Sequence, residues 1–512
     1  METTTPVGEP ALVFIGFMGA GKTTAARAAA EALRDRAVDS DTVIEQRLGQ
    51  RIEDVFATQG EATFRAHEEQ IVCELLDAPP ARVISLGGGA VSSARVRAAL
   101  ERHIVVLLDV SVEIAWRRAG RRRPLARDRQ RFEALHAERR PLYEGLADAI
   151  LGDSARDVVR RAVPAIRALS RAPAGTRMLW AQSASGDYPV YVGAGVLAAP
   201  RGQRGRSFLV TDKTVGPLYA ARAGAFAATL AIPPGEAAKT WEQAGSVLRG
   251  LAAAGMEHDD HVVALGGGVV GDLAGFCAAT YQRGVPVVQL PTTLVAQVDS
   301  AYGGKTGVDL PEGKNYAGAY HQPAAVHADP SALGTLPPEE LAAGWAEVIK
   351  TALIAGGPLW ERVRTGASAV DAALVVGCAR TKLAIVEQDE RDGGRRQVLN
   401  LGHTVGHAIE TATGYRRYRH GEAVGLGLLA ALTLSELPAL RADVKALLAA
   451  RGLPTVLHPA VDHEAVMHAL QGDKKRRAGR VGFVLVDSPG DVRTGQPMAD
   501  AEVAHALREL GA

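Results

Sequence analysis

The sequence predicts an α/β protein in three parts: a P-loop domain with a helix-flanked parallel sheet, a second α/β domain with a dinucleotide-type glycine turn, and a mainly α-helical metal-binding domain. Three stretches carry this expectation. From Ala11, ALVFIGFMGAGKTT is an apolar run, then glycines, a lysine and two threonines, followed by the helix-forming AARAAAEAL. From His261, HVVALGGGVVGDLAGF repeats the order strand, glycine turn, helix. From Leu399, LNLGHTVGHAIETATGYRRYRHGE gathers His403, His407 and His420 where helical periodicity has replaced strand patterns.

At 512 residues the chain exceeds one ordinary core, and about three domains follow from length. It is 47% hydrophobic and 22% charged; 58 Lys+Arg against 57 Asp+Glu leave a net charge of +1, so no overall field favours nucleic acid or an anionic membrane. Cys73, Cys277 and Cys378 are far apart and form no CxxC, which argues against a disulfide framework or a cysteine zinc site and fits a reducing cytoplasm. METTTPVGEP has neither a basic n-region nor an apolar core, so no secretion signal is expected. AVGLGLLAALTL, from Ala423, is too short and Gly-rich to cross a bilayer and reads as a buried helix.

In the first domain Gly16, Gly21, Lys22 and Thr23 fill G-x-x-x-x-G-K-[ST] between a strand and a helix, the context a phosphate loop requires. Its glycines, with Gly19, let backbone N–H groups wrap phosphates; Lys22 neutralises the outer ones, and Thr23, followed by Thr24, can ligate Mg²⁺. Asp39 and Asp41 in AVDSDT, two apart, are expected on one side of a strand, one for the Mg²⁺ shell and one for a substrate hydroxyl. GEATFRAHEE supplies Arg65, and VISLGGGAV supplies Gly87, Gly88 and Gly89, where main chain can approach a small polar substrate. Each of these alone is equally a turn or a solvated face. The basic run WRRAGRRRPLARDRQR has no interleaved aromatics and no nucleic-acid motif, so an ATP lid is expected there; Arg139 follows in RRPLY.

The Pro/Gly break at residues 171–177 is the expected linker, dividing domain 1–170 from an α/β domain 178–329 and a helical domain 330–512. Asp212 ends a strand, and IPPGEAAKTW offers Glu236 and Lys239. Gly266, Gly267 and Gly268, then Val269 and Asp272, stand where a pyrophosphate meets a helix N-terminus, although they do not fit G-x-G-x-x-G. PTTLVAQVDSAYGGKTGVDLPEGKNYAG supplies Thr292, Thr293, Asp299, Lys305, Lys314 and Asn315; lysines beside glycine turns in a loop-rich stretch suggest a phosphate or carboxylate site. Glu347 and Lys350 lie three apart at an expected helix start, and Lys382, Arg396, Asn400, Lys474 and Lys475 add further polar candidates. Two histidines and a carboxylate are a common catalytic zinc set with one position open. By spacing alone, His403 and His407 are explained as well by capping or lining a helix.

In order and spacing, GFMGAGKTT, DSD, FR, GGGAV, RRRPL and RRPLY resemble the shikimate kinase family across the first domain. That resemblance implies a P-loop kinase in which Asp41, Arg65, Arg139 and Gly87 to Gly89 hold shikimate, Asp39 lies near Mg²⁺, and Arg123 of the lid stabilises the phosphoryl group leaving ATP. PGEAAK, LGGGVVGD, VDSAYGGKT, EGKN, GWAEVIK, LNLGHTVGHAIE, HGEAV and GDKK occur in the order of 3-dehydroquinate synthases. This second resemblance implies NAD against Asp212, Glu236, Lys239, Gly266 to Gly268, Val269, Asp272, Thr292, Thr293, Lys305 and Lys314. It implies Zn²⁺ or Co²⁺ on Glu347, His403 and His420, with His407 contacting substrate. Substrate would also meet Lys305, Lys314, Asn315, Lys350, Lys382, Arg396, Asn400, Lys474 and Lys475, with Asp299 close by. Lys22, Arg123, Asp299, Lys305, Lys350 and His407 are the expected catalytic groups. Ala301 and Tyr302 in SAYGG depart from the family's serine and small apolar residue.

A homodimer through the second half is also implied, with Arg283 of YQRG reaching into the partner's substrate site. The chain then reads as a bifunctional enzyme of aromatic amino acid biosynthesis. One half would phosphorylate shikimate to shikimate 3-phosphate. The other would turn 3-deoxy-D-arabino-heptulosonate 7-phosphate into 3-dehydroquinate and phosphate. The competing readings are a related sugar-phosphate cyclase or a metal-dependent polyol dehydrogenase in the second half, and a nucleotide-sensing regulatory module in the first.

Overall fold

The computed structural model describes residues 9–119, 128–153, 155–198, 202–366, 369–471, 476–477 and 480–511, with backbone alone at 471, 476, 477, 480 and 481. Arg123, Lys474 and Lys475 lie outside the described residues. Two compact units result, Met1–Ala181 with Pro189–Tyr191, and Gln182–Tyr188 with Val192–Ala512. Among the described residues no helix is long and apolar enough to cross a membrane.

The first unit holds a parallel sheet in the order Ala37–Asp39, Val83–Ser85, Leu12–Ile15, Ile104–Leu108, Ala149–Leu151, Arg177–Ala181. Leu12–Ile15 is central and buried on both faces, as an unbroken apolar run in a helix-covered parallel sheet should be. The expected linker at 171–177 is a turn leading into the last of these strands, which pairs Met178 with Ala149. Asp41 does not share a strand with Asp39: the strand ends at Asp39, whose side chain accepts from the Asp41 N–H at 3.0 Å and so caps the helix Ser40–Leu48. A short acidic residue at that position ends strands and starts helices for one reason, the unpaired N–H groups of the first turn.

The second unit has a parallel sheet in the order Ala325–Ala328, Val287–Pro291, His261–Gly266, Ser207–Asp212, Ala228–Ile232. The stretch read as loop-rich forms an antiparallel hairpin, Lys305–Leu310 with Gly313–Tyr320. Helices follow, joined near the end by the antiparallel strands Arg480–Ser488 and Asp491–Pro497. Glu347 and Lys350 sit in the middle of the helix Pro338–Ala355, not at its start; Pro at its first turn and Gly356 (φ 62) after its end set its limits.

The helix His420–Leu434 is buried on nearly all sides, as its all-round apolar sequence demands. Small residues let it sit close to its neighbours: a Cβ on Gly421 would lie 1.9 Å from the Ala343 carbonyl oxygen, and one on Gly427 1.9 Å from that of Gly402. The first contact brings His420 to the helix that carries Glu347, and the second sets the turn before His403 against the His420 helix.

Candidate active sites

In the first unit the strand Leu12–Ile15 runs into a turn in which Gly16, Gly19 and Gly21 all have positive φ, and the helix Lys22–Leu33 begins at once. Lys22 Nζ donates to the Phe17 carbonyl at 3.1 Å, across the loop mouth. Thr23 donates to Asp39 Oδ2 at 2.6 Å, so the hydroxyl and carboxylate expected around Mg²⁺ already meet. Beside Gly21 and Thr24 a cavity of about 340 Å³ is lined by Leu108, Arg118, Arg156 and Val159.

The acceptor candidates converge around the triple glycine. A Cβ on Gly87 would stand 2.6 Å from Asp41 Oδ1 and 2.9 Å from Glu68 Oε1, and one on Gly89 2.0 Å from Arg65 Nη1. Arg139 donates to the Gly88 carbonyl at 3.4 Å, and the Tyr143 hydroxyl donates to the same oxygen. Arg65 pairs with Glu68 at 2.5 Å and with Glu61 at 3.2 Å. Burial pushes the Glu68 carboxyl up, against the pull of Arg65.

In the second unit the glycine turn Gly266 to Gly268 opens the helix Gly268–Thr280, with Val269 in its first turn. A Cβ on Gly267 would stand 2.8 Å from Thr293 Cγ2, and one on Gly268 3.0 Å from Ser300 Oγ. Thr292 Oγ1 and Ser300 Oγ are buried and make no hydrogen bond. Main chain open to close approach, with orphaned hydroxyls beside it, fits a dinucleotide pyrophosphate. Lys239, buried, lies 3.0 Å from Glu236, 3.4 Å from Asp272 and 3.9 Å from Asp309. Burial raises the Asp272 carboxyl to about 6, although Lys239 works against it. Asp212 Oδ1 accepts the Thr214 and Val215 N–H groups at 2.8 Å each, ahead of the helix Val215–Ala223.

Glu347 is fully buried at 0% exposure. Its Oε1 makes no hydrogen bond and stands 3.5 Å from His403 Nε2 and 3.6 Å from His420 Nε2. Carbonyl and carboxylate oxygens only accept, so His403 Nδ1, 3.2 Å from the Leu401 carbonyl, and His420 Nδ1, 3.4 Å from Glu410 Oε2, both carry the proton. The Nε2 atoms therefore face Glu347; against the effect of burial, two carboxylates raise the His420 imidazole to about 10, so a metal ion bound there would displace its Nε2 proton. Burial, with Lys350 and the neighbouring histidines, holds the His403 imidazole well below its usual range, which keeps it neutral as a ligand must be. His407 joins them, one nitrogen from each histidine falling within 4.8 Å of the others. A buried carboxylate oxygen without a hydrogen-bond partner, ringed by imidazole nitrogens, fits a divalent metal.

Next to this cluster Asp299 lies between two buried lysines, Lys350 Nζ at 3.0 Å and Lys382, which also donates to the Asp299 carbonyl at 2.7 Å. Lys350 reaches Glu347 Oε2 at 2.5 Å, so the lysine pair and the metal cluster are continuous. Lys314 lies 3.3 Å from Glu410 and 3.7 Å from Glu236, which ties the hairpin to both clusters. Lys305 is half exposed and pairs with Asp392 at 2.6 Å.

Of the other expected substrate contacts, Arg396 is near enough to Lys382 to act on it electrostatically. Arg396 is buried and donates to the carbonyls of Glu390 and Gly303, the latter at 2.9 Å. Those two residues are held in turn by the segment Gln182–Tyr188: Ser185 donates to the Glu390 carboxylate, and the Gly303 N–H donates to the Tyr188 hydroxyl at 3.2 Å. Asn315 (φ 54) is exposed and gives its backbone N–H to Asp309 at 2.7 Å; Asn400 is half buried just before His403; Arg283 is exposed with φ 70. Tyr302, the departure in SAYGG, is buried and donates to the Gln297 carbonyl at 2.6 Å, so the larger side chain is absorbed under the loop.

Residues 18–167 match the family described as shikimate kinase, residues 229–343 the 3-dehydroquinate synthase N-terminal domain and residues 344–476 its C-terminal domain. The chain belongs to the shikimate kinase and 3-dehydroquinate synthase families, joined in one polypeptide. Among solved structures, a 2-epi-5-epi-valiolone synthase from Streptomyces hygroscopicus subsp. jinggangensis with NAD⁺ and Zn²⁺ bound is 29% identical over 63% of this chain and 96% of its own, with a TM-score of 0.59. A 2-deoxy-scyllo-inosose synthase complexed with carbaglucose-6-phosphate, NAD⁺ and Co²⁺ is 24% identical over 65% of this chain and 99% of its own, with a TM-score of 0.59, and shares the fold. A shikimate kinase from Acinetobacter baumannii is 34% identical over 32% of this chain and 95% of its own, with a TM-score of 0.30.

The kinase and synthase units each contain polar groups that motif spacing did not single out. In the kinase these are Glu68 and the Tyr143 hydroxyl, the first legible only as the i+3 partner of Arg65. In the synthase they are Glu410, at the end of GHTVGHAIE, and Asp392, whose lysine partner is 87 residues away in sequence.

Proposed function

We propose that the kinase unit transfers the γ-phosphoryl group of ATP to shikimate, and that the synthase unit converts 3-deoxy-D-arabino-heptulosonate 7-phosphate to 3-dehydroquinate and phosphate. In the kinase, Lys22 and the loop N–H groups cradle phosphate, Thr23 and Asp39 hold Mg²⁺, and the cavity beside Thr24 takes the base. Arg65 and Arg139 face the acceptor's carboxylate, Asp41 orients its hydroxyls, and Gly87 to Gly89 let the ring lie on main chain. Arg123 is proposed to neutralise charge on the transferring group.

In the synthase, Glu236, Lys239, Asp272, Thr292, Thr293 and the Gly266 to Gly268 turn hold NAD, and Glu347, His403 and His420 hold Zn²⁺ or Co²⁺. Bound there, the two cofactors supply reversible hydride removal and polarisation of the neighbouring oxygen. Lys350 and Lys382, kept in place by Asp299, present ammonium groups to the carboxylate and phosphate of the substrate. His407 stands beside the metal set on the same helix face, where it can take or return a proton at the reacting carbon. The observation that carries this reading is the continuity of Lys382, Asp299, Lys350 and Glu347 with the three histidines.

A second reading, a related cyclase acting on another sugar phosphate, is favoured by the likeness to the valiolone synthase. Incubating the full chain with NAD⁺, Zn²⁺ and each of three candidates (the heptulosonate 7-phosphate, a seven-carbon ketose phosphate and glucose 6-phosphate) separates them by phosphate release and product mass. Release from the first substrate alone supports the proposal. Release from another alone replaces it. Coupled ADP production from ATP and shikimate tests the kinase.

A further inference from the structure

Glu410 has no task in the reading above, yet it is 3% exposed and holds two partners. Its Oε2 stands 3.4 Å from His420 Nδ1, and its Oε1 3.3 Å from Lys314 Nζ. The two metal-facing histidines are not equally confined. The His403 side chain is 11% exposed and is tied by the Leu401 carbonyl within its own turn, whereas that of His420 is 38% exposed. Packing against Ala343 fixes the main chain at Gly421 but leaves the His420 ring to be oriented by what it touches. The carboxylate does this. It can only accept, so it keeps a proton on Nδ1 and leaves Nε2 as the atom turned toward Glu347 and the metal position. Lys314, itself over the Tyr415 ring at 4.4 Å, keeps the carboxylate from turning away.

We propose that Glu410 is a positioning residue that orients His420 for the metal and strengthens it as a ligand. The proposal rests on the metal reading above. Carboxylates behind a ligating imidazole typically contribute about 10- to 100-fold in metal affinity. A glutamine would not replace it fully, because its amide turns a donor toward either His420 or Lys314.

The test is zinc affinity of the full chain by chelator competition, and the visible absorption of the Co²⁺-substituted protein, for wild type, Glu410→Ala and Glu410→Gln. Wild type should hold one zinc in the synthase unit. Glu410→Ala should bind it about 10- to 100-fold more weakly with a changed cobalt spectrum, and Glu410→Gln should show an intermediate loss. A purely structural role would lower the melting temperature while leaving the spectrum as it was. Wild-type affinity and an unaltered cobalt spectrum in whichever variant folds overturn the proposal. A wild-type chain that binds no zinc overturns the metal reading itself, and the proposal with it.

Discussion

Asp299 Oδ2 lies 3.0 Å from Lys350 Nζ, and the other oxygen of the same carboxylate is taken by Lys382. Burial alone would raise this carboxyl, but the two lysines hold it well below the usual carboxylate range. Asp299→Asn leaves two buried ammonium groups facing a neutral amide and should cost roughly 3–5 kcal/mol. The sign with pH follows: a depressed carboxyl stabilises the fold above its unfolded value, near about 3.9, and that contribution is lost as pH falls through the lower folded value. Denaturant melts of both proteins should therefore converge as pH drops below about 4.

Glu347→Ala should abolish zinc retention and dehydroquinate formation while sparing shikimate phosphorylation. One of three protein ligands is lost, and the nearby carboxylates are engaged elsewhere, Glu410 with His420 Nδ1 and Lys314 and Asp299 with Lys350 and Lys382. Metal analysis of the purified variant checks it; a full zinc complement with normal turnover would exclude Glu347 as a ligand.

Gly89→Ala places a methyl group where Arg65 now stands, 2.0 Å from Nη1. The guanidinium must move, so KM for shikimate should rise about tenfold or more while KM for ATP changes little. Steady-state kinetics with each substrate varied in turn would show it. An equal change in both constants would mean that Arg65 does not face the acceptor.

Lys22→Ala removes the cation of the phosphate loop and should lower kinase kcat by about a hundredfold or more. Synthase kcat and KM should stay nearly unchanged. A several-fold fall in synthase turnover, with the fold intact by circular dichroism, would reveal coupling between the two reactions.

Arg283 is exposed on its own chain, as a residue serving a second copy would be. Mixing Arg283→Ala with Lys305→Ala should restore part of the synthase activity that each lacks, through heterodimers. No recovery after proven subunit exchange would argue that each copy uses its own Arg283.

The two glycine turns were legible because a phosphate loop is written locally: strand, glycines and helix follow one another in sequence. Glu347 and the histidines were legible as types, through the blocks around them. Glu68, Asp392 and Glu410 were not, since each acquires its meaning from a partner fixed by packing. Asp41 shows the reverse failure. Two acidic residues in i,i+2 register suggest one strand face, but Asp39 uses its carboxylate to cap the helix that contains Asp41. The bonds from Arg396 to the carbonyls of Glu390 and Gly303 were likewise out of reach, since they depend on how the loops pack.

The chain does not pass once from one unit to the other. It enters the second at Gln182, returns to the first for Pro189–Tyr191 and re-enters at Val192. Within that short excursion Ser185 and Tyr188 brace the loops that carry Glu390 and Gly303. The strand Arg177–Ala181 just before it completes the other unit's sheet. Any scheme that makes the two catalysts as separate polypeptides must therefore choose which half forfeits a stitch. Cutting within 171–177 strands a kinase strand on the synthase, and cutting at Val192 strips the synthase of two braces.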